Sequence, residues 1–294
     1  MSRYYWPKGS LRQDGSEVRL TQEVAGWSYS ALRVVELSAP LSFATGAEEF
    51  AVLPLAGGLD VEVEGRRFTL EGRHDVFSRV TDWAYLPIDA EVKLSSPSRA
   101  RVALASARAR HRFDAVRMDA ESVTVEIRGA GPSTRQVNNF MSPEVFSGAD
   151  RLMCVELLTP DGNWSSYPPH KHDASPECSV NNEEIYYFEI GELQGSGSAS
   201  DGFAMYRGYA SDGSLDQNLA IGDGDVVCVP FGYHGPCIAA PGYPLYYLNV
   251  LAGSGAERSL AFCDDPSHHW VRDSWTKQDV DPRCPMTSAK GRIA

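Results

Sequence analysis

His170 and His172 stand one residue apart in the run Pro168-Pro-His-Lys-His172, and two further groups with the right chemistry lie well downstream, Glu184 and His234. In an extended segment residues i and i+2 face the same way, so both imidazoles can address one point. The flanking prolines help to hold that extension. Glu184 opens an apolar run, Ile185 to Ile190, and His234 sits in Phe231-Gly-Tyr-His-Gly235, where glycine permits a tight turn that aims the ring inward. Three imidazoles and one carboxylate suit a single divalent transition ion, Mn, Fe, Co, Ni or Zn, with positions left for water or substrate. An oxygen-loving ion such as calcium is disfavoured.

The elements that must position these groups read as short strands. Val61, Val63, Phe68 and Leu70 alternate around Glu64-Gly-Arg66, a hairpin turn, and Val123, Val125 and Ile127 alternate again. Sustained helical periodicity is almost absent. A repeat also runs through the chain. Val35-Glu-Leu37 with Pro40 matches Val155-Glu-Leu157 with Pro160; Glu48-Glu49 before an apolar run matches Glu183-Glu184; and Asp75-Val-Phe77 leading to Pro87 matches Asp225-Val-Val227 leading to Pro230. Three matches in the same order indicate a duplication. The expected architecture is all-β, two antiparallel β-barrels or sandwiches in one chain. Copy two has gained a loop between Pro160 and Glu183, and that loop carries His170 and His172. The corresponding stretch of copy one, Leu41 to Ala47, has no histidine, and its counterpart of the His234 turn reads Trp83-Ala-Tyr-Leu-Pro87. One metal per chain is therefore expected, in copy two. His74 and His111 read as surface or boundary histidines.

Composition narrows the function classes. The 294 residues carry 27 Lys and Arg against 39 Asp and Glu, a net charge of −12, which repels phosphate backbones and anionic lipid. Nucleic acid and membrane are not expected partners. Val226 to Ala256 lacks charged residues, yet its prolines and glycines would break any spanning helix, so it reads as buried strands and turns. The N-terminal residues lack the basic start and apolar core of a signal peptide. The six cysteines form no Cys-x-x-Cys pair and four lie in apolar sequence, which points to free thiols in a reducing, cytoplasmic setting. The sequence leaves a homo-oligomer open.

Glu184-x6-Gly191 and Gly224-x5-Pro230 have the spacing of the two cupin motifs, so the chain resembles the cupin superfamily. Longer phrases make the likeness more specific: Val125 to Asn138, Pro168-Pro-His-Lys-His-Asp173, Glu183-Glu-Ile-Tyr-Tyr-Phe188, Asp223-Gly-Asp-Val-Val227, Gly232-Tyr-His234, Leu245-Tyr-Tyr-Leu-Asn-Val250 and Asp265-Pro-Ser-His268. These resemble the 5-deoxy-glucuronate isomerase family, bicupins of bacterial inositol catabolism related to 5-keto-4-deoxyuronate isomerase. The resemblance implies a bicupin of two jelly-roll-like barrels, residues 1–115 without metal and 116–294 with it. It also implies an aldose to ketose isomerisation of a small sugar acid, 5-deoxy-D-glucuronate to 5-dehydro-2-deoxy-D-gluconate. Two departures from the family pattern are Tyr206 before Arg207 and the stretch Gly235-Pro-Cys-Ile238 after His234.

Such a reaction moves a proton between neighbouring carbons, and a metal ion stabilises the intermediate charge as a Lewis acid. Tyr186, Tyr247 and Lys171 lie close enough in the pattern to act as the general base, and a metal-bound hydroxide is an equal candidate. The substrate carboxylate calls for a guanidinium. Arg128 and Arg135 bracket the glycine-rich stretch 129–134, which reads equally as a linker between barrels; Arg207 and Arg272 are further choices. Asp264, Asp265, His268 and Trp270 either close the pocket or cap a C-terminal helix. Two rival readings stay open on the ligands alone, a bicupin dioxygenase and a non-catalytic sugar-binding bicupin.

Overall fold

The computed structural model describes residues 3–192 and 202–293. Two large antiparallel sheets dominate it. In the first, Val116–Met118, Trp83–Leu86, Glu48–Val63, Ala100–Arg108, Ser30–Leu37 and Ser16–Leu20 lie side by side. In the second the order is Tyr5–Trp6, Val226–Val229, Glu183–Ile190, Leu245–Ala252, Met153–Thr159, Arg135–Asn139 and Thr124–Arg128. The six strands of the first order correspond one for one to the first six of the second, with Thr124–Arg128 an added edge strand, and this supports the duplication. Each sheet is backed by shorter strands: Leu41–Ala44, Arg66–Arg73 and Glu91–Ser95 in the first unit, and Trp164–Ser165, Cys237–Ala239, Ala204–Tyr209 and Asp216–Ile221 in the second. Glu64 and Gly65 make the expected hairpin turn, both with positive φ, 52° and 74°.

The edges cross between the units. Tyr5–Trp6 pairs with Val226–Val227 of the second sheet, whereas Val116–Met118 closes the first sheet against Trp83–Tyr85. The first strand of the chain thus completes the second unit, and the first unit runs on to Met118.

Strands buried on both faces carry near-continuous apolar runs rather than alternation. In Glu183–Ile190, Ile185 and Tyr187 pack into a core shared between the two sheets, while Tyr186, Phe188 and Ile190 point into the second barrel. The first barrel has its own interior, around Val52, Val61 and Leu94. Polar contacts lock the units reciprocally. Glu183 accepts from the backbone amides of Ser28, Tyr29 and Ser30, at 2.7 to 2.9 Å. Glu49 accepts from those of Asp150, Arg151 and Leu152, at 2.6 to 2.9 Å. Arg73 pairs with Glu156 in the shared core, where Tyr246 Oη also donates to Glu156 at 2.8 Å.

Register corrects the repeat by one residue. Glu49 lies opposite Ala107 and Phe50 opposite Ser106 and Leu86; Glu183 lies opposite Ala252 and Glu184 opposite Leu251 and Val229. Glu49 is the counterpart of Glu183, and Phe50 stands where copy two has Glu184. Both copies have adjacent acidic residues, so matching letters conceals a shift that register exposes, and a shift of one turns a side chain to the other face.

A second correction concerns cysteine. Cys178 and Cys263 form a disulfide, joining segments 85 residues apart. Cys154, Cys228, Cys237 and Cys284 are buried free thiols, as expected of small hydrophobes. The bonded pair lies in short irregular strands that come together only in the fold, so no sequence spacing announced it.

Candidate metal centre and active site

His170–Lys171 forms a short strand against Cys263–Asp264, and His170 exchanges two backbone hydrogen bonds with His234, at 3.0 and 2.9 Å. The chain can pass this close because Gly235, at φ 105°, has no side chain; a Cβ there would lie 2.5 Å from Ser166 O and 2.6 Å from His170 Cε1. One ligand nitrogen from each of His170, His172 and His234 lies within 4.8 Å of the others. Glu184 Oε2 is 3.0 Å from His172 Nε2 and 2.9 Å from His234 Nε2. All four expected ligands therefore converge inside the second barrel.

The outward nitrogens explain the orientation. His172 Nδ1 sits 2.9 Å from the carbonyl of Asn182, His234 Nδ1 3.1 Å from that of Gly232, and His170 Nδ1 3.3 Å from that of Pro168. A ring that donates from Nδ1 presents an unprotonated Nε2 inward, the arrangement that metal-binding histidines use. Two such nitrogens aimed at one carboxylate oxygen are acceptors facing an acceptor, and a cation among them resolves the conflict. The residues fit a divalent transition ion. Burial pushes His170 down to about 3, so it stays neutral at pH 7. Glu184 stays ionised: burial alone would raise its pKa, but the closeness of His172 and His234 outweighs it and holds the carboxyl well below the usual carboxylate range.

His170, His172 and Glu184 line a cavity of about 300 Å³, at the small end of the range typical of small-molecule sites, with His234 beside them. Tyr186, Ser166, Asn249 and Phe262 line it, together with Arg128, Arg135 and Arg272. Arg272 makes a paired contact with Asp264, at 2.5 and 2.7 Å, and Arg128 with Glu126, at 3.0 and 2.7 Å. Among the described residues Arg135 has no carboxylate partner. It is only 3% exposed, its Nη1 donates to Ser133 O at 3.0 Å, its Nε has no acceptor, and the guanidinium lies over the Trp275 ring. Burial, with Arg128 and Arg272 nearby, lowers its pKa to about 10. A buried guanidinium without a carboxylate partner thus lines the cavity, with donors that suit an anion.

Three expected site residues lie elsewhere. Lys171 alternates with His170 and His172 and so faces away from them; its Nζ pairs with Glu177 at 3.0 Å, over the Tyr233 ring. Arg207 lines a separate, more open groove with Trp164, Met205 and Tyr209, and pairs with Asp216. Tyr247 does not line the cavity but stands behind Ser166. Asp264 serves the pocket wall through Arg272, while Asp265 accepts from Tyr209 Oη at 2.5 Å. His74 and His111 are exposed beside Asp75 and Asp150. The sequence gave no signal for Ser166 or Phe262, whose ring centroid lies 4.8 Å from that of His170. Asn249 occurs in the phrase Leu245 to Val250; it is 3% exposed, and its Nδ2 has no partner.

The model of the KduI/IolB family matches residues 5–271. The chain belongs to the KduI/IolB family. Among its relatives is the 5-deoxy-glucuronate isomerase of Geobacillus kaustophilus, 39% identical over 280 residues, 93% of this chain and 97% of the relative. The enzyme of the same name from Bacillus subtilis is 34% identical, over 91% and 98%. Of solved structures, an IolB-like protein from Salmonella typhimurium superposes with a TM-score of 0.82 at 30% identity, covering 91% of this chain and 98% of that one. Oxalate decarboxylase from Lactobacillus farciminis superposes at 0.60 with 12% identity, over 86% and 87%, a likeness of fold alone and one that supports the bicupin reading. Among the described residues of this KduI/IolB member, no helix is long and apolar enough to cross a membrane.

Proposed function

We propose that the chain catalyses the aldose to ketose isomerisation of 5-deoxy-D-glucuronate to 5-dehydro-2-deoxy-D-gluconate in inositol catabolism, in the cytoplasm. The names of its relatives support the reaction. The observation that carries the substrate class is the guanidinium of Arg135, without a carboxylate partner among the described residues, in the same cavity as His170, His172 and Glu184 of the metal cluster. One end of that cavity receives a carboxylate and the other a polarised carbonyl.

In this reading Arg135 binds the substrate carboxylate through its free edge, with Arg128 and Arg272 strengthening the positive field. His170, His172, Glu184 and His234 would hold one divalent ion, drawn from Mn, Fe, Co, Ni and Zn, and it would supply electrophilic stabilisation of the negative charge that develops as the proton passes from the carbinol carbon to the neighbouring former carbonyl carbon. Tyr186 faces the cavity beside this cluster, and burial together with the Glu184 charge keeps its phenol protonated far above neutral pH. Tyr186 Oη is thus a proton donor toward a developing oxyanion, not the base. Leu251, Leu260 and Phe262 give the cavity an apolar wall.

The test is turnover of 5-deoxy-D-glucuronate by the purified protein, alongside 5-keto-4-deoxyuronate, with dissolved oxygen monitored. Isomerised product without oxygen uptake supports the reading. Preference for the pectin-derived uronate would reassign the substrate, and oxygen uptake coupled to substrate loss would transfer the site to the dioxygenase class.

A further inference from the structure

Behind the cavity wall lies a chain of three hydroxyls whose direction is fixed. Tyr247 is fully buried, and its Oη donates to Ser165 Oγ at 2.9 Å. A phenol has a single proton, so across the 2.6 Å contact between Tyr247 Oη and Ser166 Oγ the serine must be the donor. Ser166 therefore has its own proton committed inward. Because Ser166 lines the cavity, what its oxygen offers there is lone pairs. A carboxylate or carbonyl oxygen cannot use such an acceptor; an alcohol can.

The backbone reinforces this placement. Ser166 adopts φ 49°, a left-handed conformation that non-glycine residues seldom take, and such strain gathers at functional sites. Its carbonyl sits against Gly235 next to the His170 ring, which puts Ser166 beside the metal cluster. A six-carbon sugar acid with its carboxylate on Arg135 and its carbonyl at that cluster directs its central carbons toward the walls between them. Resting on the proposed reaction, we infer that Ser166 determines specificity: its Oγ accepts a hydrogen bond from the hydroxyl on one of the two central carbons, C3 or C4, with Tyr247 as the positioning residue that orients it.

The experiment measures kcat/KM of the full-length enzyme, metal-loaded, for 5-deoxy-glucuronate and for its 3-deoxy and 4-deoxy analogues. It compares the wild type with Ser166→Gly and Tyr247→Phe. Glycine removes the hydroxyl while suiting the left-handed backbone, so folding is preserved. On the parent substrate Ser166→Gly should lose roughly tenfold, the worth of one neutral hydrogen bond to a built acceptor. On the analogue lacking the accepted hydroxyl it should lose nothing further, and Tyr247→Phe should fall between wild type and Ser166→Gly in its discrimination. An equal loss on all three substrates, or no loss on the parent, overturns the inference while leaving the proposed reaction standing. Wild-type enzyme inert toward the parent overturns both.

Discussion

Replacing Arg135 with methionine should stabilise the substrate-free protein and disable it. A guanidinium whose pKa falls from its ordinary value to about 10 carries about 3 kcal/mol of unfavourable free energy in its charged form. Arginine stays protonated at neutral pH, so that cost persists until an anion arrives. Water in the cavity screens the edge that faces it, which leaves about 1–3 kcal/mol to be recovered when the charge is removed. Methionine keeps an apolar side chain over Trp275, and the melting temperature should rise by roughly 2–6 °C. Activity should move the other way. Two charge-assisted hydrogen bonds to a carboxylate, each worth about 1.5–3 kcal/mol, correspond to a fall of roughly 10²- to 10⁴-fold in kcat/KM. Differential scanning fluorimetry with and without an inert sugar acid reads the first effect, and initial rates read the second. The sugar acid should raise the melting temperature of the wild type and leave that of the variant unchanged. A variant that melts below the ligand-free wild type, or that turns over within threefold of it, would refute the reasoning.

Elemental analysis should find one divalent ion per chain in the wild type and none in His172→Ala, with circular dichroism unchanged; two ions per chain would contradict the asymmetry that places Phe50 opposite Glu184 in the repeat. Glu49→Gln and Glu183→Gln each weaken three backbone amide bonds between the units, and urea titration should show about 2–4 kcal/mol of lost stability for each; a loss below 0.5 kcal/mol would show the interlocks to be incidental. Cys178→Ser removes a cross-link closing 85 residues, and the variant should unfold at about 2–4 kcal/mol less than the wild type under oxidising conditions, with no difference in excess dithiothreitol; an unchanged urea midpoint would mean that the pair adds nothing to stability.

The convergence of His170 and His172 was legible in the sequence because its geometry is local. Alternation in an extended segment puts His170 and His172 on one side and Lys171 on the other, so the same period that found the first two should have excluded the third. The repeat was legible for a similar reason, since duplicated strands keep their patterns. Its register was not, because Glu48-Glu49 and Glu183-Glu184 can be laid over one another in either phase and only pairing with Ser106, Ala107, Leu251 and Ala252 decides which. Which arginine lines the cavity without a carboxylate partner among the described residues was likewise beyond the sequence. Arg128, Arg135, Arg207 and Arg272 are equivalent as letters; three have nearby carboxylates in Glu126, Asp216 and Asp264, and Arg135 is left unpaired by burial. The disulfide and the Ser166–Tyr247–Ser165 chain depend on contacts between segments about 80 residues apart. Short-range periodicity specifies which way a side chain points from its own strand, whereas its neighbours across the barrel are set by the packing of the whole chain, and those neighbours decide charge, pairing and chemistry.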